Sequence, residues 1–147
     1  MIRKALLACV CSALISHSAS ASFTGFDGWW GGSGKIKLAS AEEAIKCRST
    51  IKLSSGDTAL AMNFRCASTS YTVDVTSNLV TKADQVTGTW VINTHNINGR
   101  VTGTNKDGTI AGKIVSDGFT ARVSVARPDN TMTVSITPEG SSDVKTM

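Results

Sequence analysis

After an apolar opening segment, apolar and polar residues alternate along most of the chain, and no stretch recurs at helical spacing. Phe26, Gly28, Trp30, Gly32, Gly34, Ile36 and Leu38 share one parity. Ile45, Cys47, Ile51 and Leu53 form a second face, with Lys46, Arg48, Thr50 and Lys52 on its reverse. Tyr71, Val73 and Val75 follow, then Val86, Gly88, Trp90 and Ile92. Val101 with Gly103, and Ile110 with Gly112 and Ile114, continue the pattern. Phe119, Ala121, Val123 and Val125 come next, and Met132, Val134 and Ile136 close it. The residues between are Ser, Thr, Lys, Asn and Arg, and the abundance of Val and Thr suits extended structure. The pattern predicts eight or nine strands, each with one apolar face.

Turn chemistry agrees with these faces. A two-residue turn at Gly56-Asp57 sets Cys47 opposite Cys66, Ser49 opposite Phe64, Ile51 opposite Met62 and Leu53 opposite Leu60. One register therefore aligns an apolar face and a potential disulfide together. Asp107-Gly108 sets Gly103 opposite Gly112, and Asp117-Gly118 sets Ile114 opposite Ala121. Pro128-Asp129 sets Val125 opposite Met132 and Val123 opposite Val134. For the strand of Trp90, Asn98-Gly99 is a strong type I′ signal, while a turn at His95-Asn96 preserves the same parity. The stretch 77–85 lacks clear alternation and reads as a loop, with one helical turn around Leu79. The Ser- and Gly-rich tail after Pro138 reads as loose.

A sheet with one apolar face must bury that face. Closing on itself does so and removes exposed edges. The expected fold class is therefore all-β, an antiparallel up-and-down meander closed into a small β-barrel, with a two-layer β-sandwich as the alternative. Gly88, Gly103 and Gly112 on the apolar face favour the barrel, because inward glycines let strands bend and leave room beside Trp90.

The opening segment changes the charge and cysteine arithmetic. Arg3 and Lys4 precede an apolar run from Ala5 to Ile15, and Ala19-Ser20-Ala21 gives the small-x-small pattern of signal-peptidase sites. The run is too short for a spanning helix, which needs about 20 residues. Leu6-Leu7-Ala8-Cys9 offers a lipoprotein alternative, but too few residues separate Lys4 from Cys9. Residues 1–21 are read as a signal peptide and 22–147 as a single domain, exported to the periplasm or secreted. Cleavage after Ala21 removes two of the 15 cations and none of the 11 acids, leaving 13 − 11 = +2. Of the cysteines only Cys47 and Cys66 remain, an even count that argues for one bridge in an oxidising compartment. No basic stripe with interleaved aromatic residues is left, which speaks against a nucleic-acid partner.

Little in the chain carries catalytic chemistry. His95 is the one histidine after the signal and falls in or beside a hairpin loop. No G-x-S-x-G elbow is present, and both cysteines are committed to a bridge. One histidine cannot supply a zinc site, and Asn105-Lys106-Asp107-Gly108 is a turn rather than a calcium loop. Glu42-Glu43 is read as a solvated pair at a strand entrance. The reading is no enzyme, no metal and no cofactor.

The aromatic residues carry more information. Phe23, Phe26, Trp29 and Trp30 cluster among Gly25, Gly28, Gly31, Gly32 and Gly34. Parity sends Trp30 inward and Trp29 outward. Trp29 is either covered by the N-terminal arm or exposed as a contact for a partner or a sugar ring. Phe26, Trp29, Trp30 and Trp90 are thus the candidate binding residues. On the reverse of the second strand, Lys46, Arg48 and Lys52 stand with Arg65 on the next strand. Arg48 faces Arg65, which is unfavourable unless an anion or solvent screens the pair. This face is either solvated or a contact for an anionic envelope surface or polymer.

Gly28-x-Trp30 resembles the GxW element of calycins, the barrel superfamily of lipocalins and avidins. Gly88-Thr89-Trp90-Val91, followed by Gly103 and Gly112, resembles the opening hairpin of avidin-type chains. The wider layout resembles small exported bacterial proteins of unknown function. In lipocalins the tryptophan of this element packs at the closed end of the barrel under an arginine from the last strands. The resemblance gives that role to Arg127, which follows Val123 and Val125 in parity, and not to Arg122. It implies export and a barrel, and assigns no activity.

These readings converge on a monomeric binding protein of the cell envelope. Its partner is a small apolar ligand inside the barrel or an envelope protein at its rim, with no membrane span. The alternatives are an inhibitor of an envelope or foreign hydrolase, presenting 77–85 as a protruding loop, and a structural envelope component.

Overall fold

The computed structural model describes residues 21–140 and a short strand at 144–146. The segment read as a signal peptide lies outside the described residues except for Ala21. Ten strands follow in chain order: β1 (Gly28–Leu38), β2 (Glu42–Ser54), β3 (Ala59–Ala67), β4 (Thr72–Lys82), β5 (Gln85–Ile92), β6 (Ile97–Lys106), β7 (Thr109–Ser116), β8 (Phe119–Ala126), β9 (Thr133–Glu139) and β10 (Val144–Thr146). They form one antiparallel sheet in the order β10-β1-β2-β3-β4-β5-β6-β7-β8-β9. From β1 to β9 this is an uninterrupted meander, and no second sheet is present among the described residues.

The sheet curls strongly around its apolar face. One turn set gathers at one end: 55–58, 83–84, 107–108 and the loop 127–132. The other set, at 39–41, 68–71, 93–96 and 117–118, gathers at the opposite end. The arm before β1 closes the first end. The Phe23 amide donates to the Asp57 carbonyl at 2.7 Å, and Asn105 Nδ2 on β6 donates to the Ser22 carbonyl at 2.9 Å. One short arm thus ties the β2–β3 turn to the far side of the meander. The Phe26 amide closes a turn on the Phe23 carbonyl at 3.0 Å, and both rings are buried, at 0% and 1% exposure. Asn105 is buried too, and its own amide bonds the Asp84 carbonyl at 2.9 Å, so this polar residue has partners inside the plug.

The expected registers hold in three hairpins. Cys47 pairs with Cys66, Ser49 with Phe64 and Leu53 with Leu60. The two cysteines form a disulfide across the ladder with Cα atoms 4.1 Å apart. Gly103 pairs with Gly112, and Ile114 with Ala121. A Cβ on Gly103 would lie 2.8 Å from the Gly112 Cα, and one on Gly112 would lie 2.7 Å from the Gly103 Cα. Only glycine permits that approach on both strands.

Four expectations are corrected. The stretch 77–85 is not a loop with a helical turn: β4 runs to Lys82, and a two-residue turn at Ala83-Asp84 leads straight into β5. Its alternation was hidden because Ser77 and Thr81 point inward while Val80 is 51% exposed. Ser77 Oγ donates to the Thr89 carbonyl at 2.9 Å and Thr81 Oγ1 to the Ala83 carbonyl at 3.2 Å, which makes their burial tolerable. Second, the β8–β9 register is Val125 with Val134 and Val123 with Ile136, not one step tighter. The turn there spans 128–131, with Thr131 N on the Pro128 carbonyl at 3.2 Å, and Met132 stays in the loop. Third, neither proposed turn closes β5 to β6. The loop is 93–96, pairing Ile92 with Ile97 and Trp90 with Gly99. Asn93 fixes it by donating to Asp74 Oδ1 at 2.8 Å and Thr76 Oγ1 at 3.1 Å. Fourth, the tail is not loose throughout. β9 extends to Glu139, and β10 returns to pair with β1 through Lys37–Thr146 and Leu38–Val144.

The buried plug predicts a localised stability cost. Phe23→Ala should destabilise the fold by about 3–5 kcal/mol, as expected for emptying a fully buried ring site. Val80→Ala, on the exposed side of β4, should cost no more than about 0.5 kcal/mol. Denaturant unfolding of both variants checks this, and equal midpoints would contradict the plug.

Candidate functional site

The concave face holds a cavity of about 370 Å³. Its walls come from the inward positions of β2 to β9, so the alternation that makes the strands also makes the site apolar. Phe26, Leu60, Val101 and Ile110 form the part nearest the plug. Phe64, Val75, Trp90, Ile114 and Val123 line the middle, and Trp90 meets Phe119 edge-on with centroids 6.0 Å apart. The residues at the far end, Tyr71, His95, Ile97, Phe119 and Pro138, sit in or beside the turns 68–71, 93–96 and 117–118 and on the last part of β9.

Polar groups are few. The Ser77 hydroxyl is committed to the Thr89 carbonyl, and Trp90 Nε1 donates to the Arg100 carbonyl at 3.2 Å. His95 lines the cavity from an exposed loop, and its amide bonds the Ile92 carbonyl at 3.3 Å. The arrangement can therefore desolvate an apolar body while a polar end rests near the His95 and Tyr71 rim. Among the described residues no group of three His, Cys, Asp or Glu side chains could hold a metal ion. No helix among them is long and apolar enough to cross a membrane.

The predicted site residues separate. Phe26 and Trp90 reach the cavity. Trp30 is half-buried, donates from Nε1 to the Phe26 carbonyl at 2.9 Å, and lines a second cleft of about 730 Å³. That cleft runs between β1 and residues 130–135, so the two sides of the meander face each other across it. Trp29 is 71% exposed on the outer face and is not covered by the arm. Lys46, Arg48, Lys52 and Arg65 are also exposed on that outer face. Arg127 packs its guanidinium against Gly25, where any side chain would collide with it. Its Nη1 donates to the Asp129 carbonyl, and its link to Trp30 runs through the arm, since Gly25 adjoins Phe26. The sequence reading missed the rim positions His95, Ile97 and Pro138. The parity of Ile97 with Val101 was the signal that could have found one of them.

Glu42 and Glu43 are not an idle solvated pair. Glu42 bonds Lys35 at 2.8 Å, which lowers the carboxyl pKa and raises that of the amine. Glu43 accepts from Ser68 Oγ at 2.6 Å, from the Ser70 amide at 3.1 Å and from the Ser70 hydroxyl. These bonds, that from Ser68 first, hold its pKa below 4.5 and clamp the turn that presents Tyr71 at the rim.

Compared with protein-family models, with curated proteins and with solved structures, the chain matches none.

The Glu43 clamp has a defined pH sign. A carboxyl held below its ordinary value stabilises the fold above that value, and the contribution is lost as pH falls through the depressed one. The Ser70 amide resonance should therefore titrate below pH 4.5, with lower exchange protection, relative to the intrinsic amide rate, across 68–71 at acid pH. Glu43→Gln should abolish that step and leave the turn at 117–118 unchanged. A Ser70 midpoint at or above the ordinary glutamate value would contradict the clamp.

Proposed function

We propose that this chain is an exported, non-catalytic binding protein of the cell envelope that holds a small apolar molecule against its concave face. The observation that carries the reading is the cavity itself. At about 370 Å³ it falls within the range of small-molecule sites, and almost every lining side chain is apolar. A fold stabilised only by its core has no need of such a space, because interiors pack to high density with few voids. The plug closes one end of this space, and the polar rim lies at the other.

The same reading closes the sheet into a barrel, in the calycin manner suggested by Gly28-x-Trp30. One feature supports closure: β10, which follows β9 in the chain, pairs with β1. Export rests on the opening segment and agrees with the Cys47–Cys66 bridge. An inhibitor would require a protruding rigid loop, and the segment nominated for that part is strand and tight turn. Ligand binding is therefore favoured over inhibition.

An apolar fluorescent probe of the anilinonaphthalene type tests the proposal. The chain should bind one equivalent saturably and quench Trp90. Val123→Phe, which fills the cavity from β8, should weaken binding about tenfold or more while circular dichroism and the disulfide stay unchanged. Equal binding by the native chain and this variant, or uptake only as the chain unfolds, would overturn it.

A further inference from the structure

The outer face of β1 to β3 plays no part in that reading, yet it carries an organised set of side chains. Trp29 is 71% exposed. Its ring leans along the strand to Gly31, two residues on. A Cβ on Gly31 would come within 3.0 Å of Trp29 Cη2 and 3.1 Å of Cζ3. The outer edge of the six-membered ring thus lies against the strand at Gly31, and most of the indole is open to solvent.

Cations surround that ring. The ladder sets Gly31 opposite Arg48, and Arg48 opposite Arg65. Lys46 and Lys52 share their strand and face with Arg48, about 20 Å from one to the other at strand rise. Lys46, Arg48, Lys52 and Arg65 make no ion pair among the described residues. The acid nearest in register is Asp74, paired with Arg65 from β4 and hydrogen-bonded by Asn93 Nδ2 at 2.8 Å. Ser33, Thr50, Ala61, Asn63 and Ala67, all short side chains, fill the intervening outward positions. Two arginines directly opposite each other repel unless an anion lies between them. Their planar forks suit carboxylate or sulfate groups in pairs.

We infer that this face binds an acidic polysaccharide, with one sugar ring stacked on Trp29 and its carboxylate or sulfate groups held by Arg48 and Arg65, flanked by Lys46 and Lys52. The placement of the indole decides against a membrane surface. An interfacial tryptophan must project into the headgroup layer, and this one lies back on its own strand. It also decides against single-stranded nucleic acid, which uses successive aromatic platforms for successive bases. Trp29 is the one aromatic side chain on this outer face among the described residues. The inference is independent of the concave cavity.

The test uses the full chain after signal removal and four probes: a heparin-derived hexasaccharide, an oligogalacturonate, a short oligothymidylate and phosphatidylglycerol vesicles. Binding is read by tryptophan fluorescence and calorimetry at two salt concentrations. The acidic oligosaccharides should bind, more weakly at high salt. Trp29→Ala and the double variant Arg48→Gln with Arg65→Gln should each lose about tenfold or more in affinity. Gly31→Val, which lifts the ring without changing charge, should lose affinity in the same direction. The far-ultraviolet circular dichroism and unfolding midpoint of all variants should stay close to the native chain's, showing that they fold. Unchanged affinity of Trp29→Ala for both oligosaccharides, or tighter binding of oligothymidylate or vesicles than of either, would overturn the inference.

Discussion

Two phenylalanines at the mouth of a curling sheet hold the structure in its present form. Phe23 and Phe26 occupy the end where four turns meet, and both are removed from water almost entirely. Their burial is the largest apolar gain available to the short arm, and the arm's backbone is satisfied at Asp57 and through Asn105. Without the plug, the inward faces of Leu60, Val101 and Ile110 would open to solvent at that end. The plug also positions Trp30, because the Phe26 carbonyl receives the indole proton. The floor of the cavity, the start of β1 and the meeting of the lower turns all follow from this one contact set.

The two faces of the sheet then divide the chemistry. Inward positions are mostly apolar, and they leave space rather than fill it; of the buried polar side chains Ser77, Thr81 and Asn105 have partners, while Ser49 Oγ has none among the described residues. Outward positions on β1 to β3 combine an exposed indole with Lys46, Arg48, Lys52 and Arg65, which make no ion pair among the described residues. Strand periodicity makes this division possible. Neighbours in sequence, such as Trp29 and Trp30, end on opposite sides of the sheet and serve different surfaces. The disulfide lies between the two, pinning β2 to β3 beneath the Arg48–Arg65 pair. Closing a loop of that length contributes about 3 kcal/mol in the chain-entropy model.

Much of this was legible in the sequence wherever local chemistry and the apolar pattern agreed. Gly56-Asp57, Asp107-Gly108 and Asp117-Gly118 each supply residues that accept tight turns, and their registers follow. The failures share one cause. At 77–85 the inward residues are Ser77 and Thr81 and the outward one is Val80, so hydropathy inverted the pattern while hydrogen bonding kept the strand. At Pro128 the chain does turn, but over the longer loop 128–131, and Asn98-Gly99 lies within β6 while the chain turns at 93–96. Side-chain bonds from Asn93, and the packing of Met132 against the core, outweighed local propensity. The cavity was not legible at all. Parity names the inward residues, but whether they meet or leave a gap depends on the curl of the whole sheet.

Methyl NMR under xenon pressure tests the central claim most directly, because xenon enters dry apolar cavities without specific chemistry. The methyl resonances of Val75, Ile92, Ile114, Val123 and Ile136 should shift together and saturate, while those of the outward Val80 and Val115 respond only weakly. Shifts no larger inside than outside would mean that the concave face encloses no accessible space, and the account would fail.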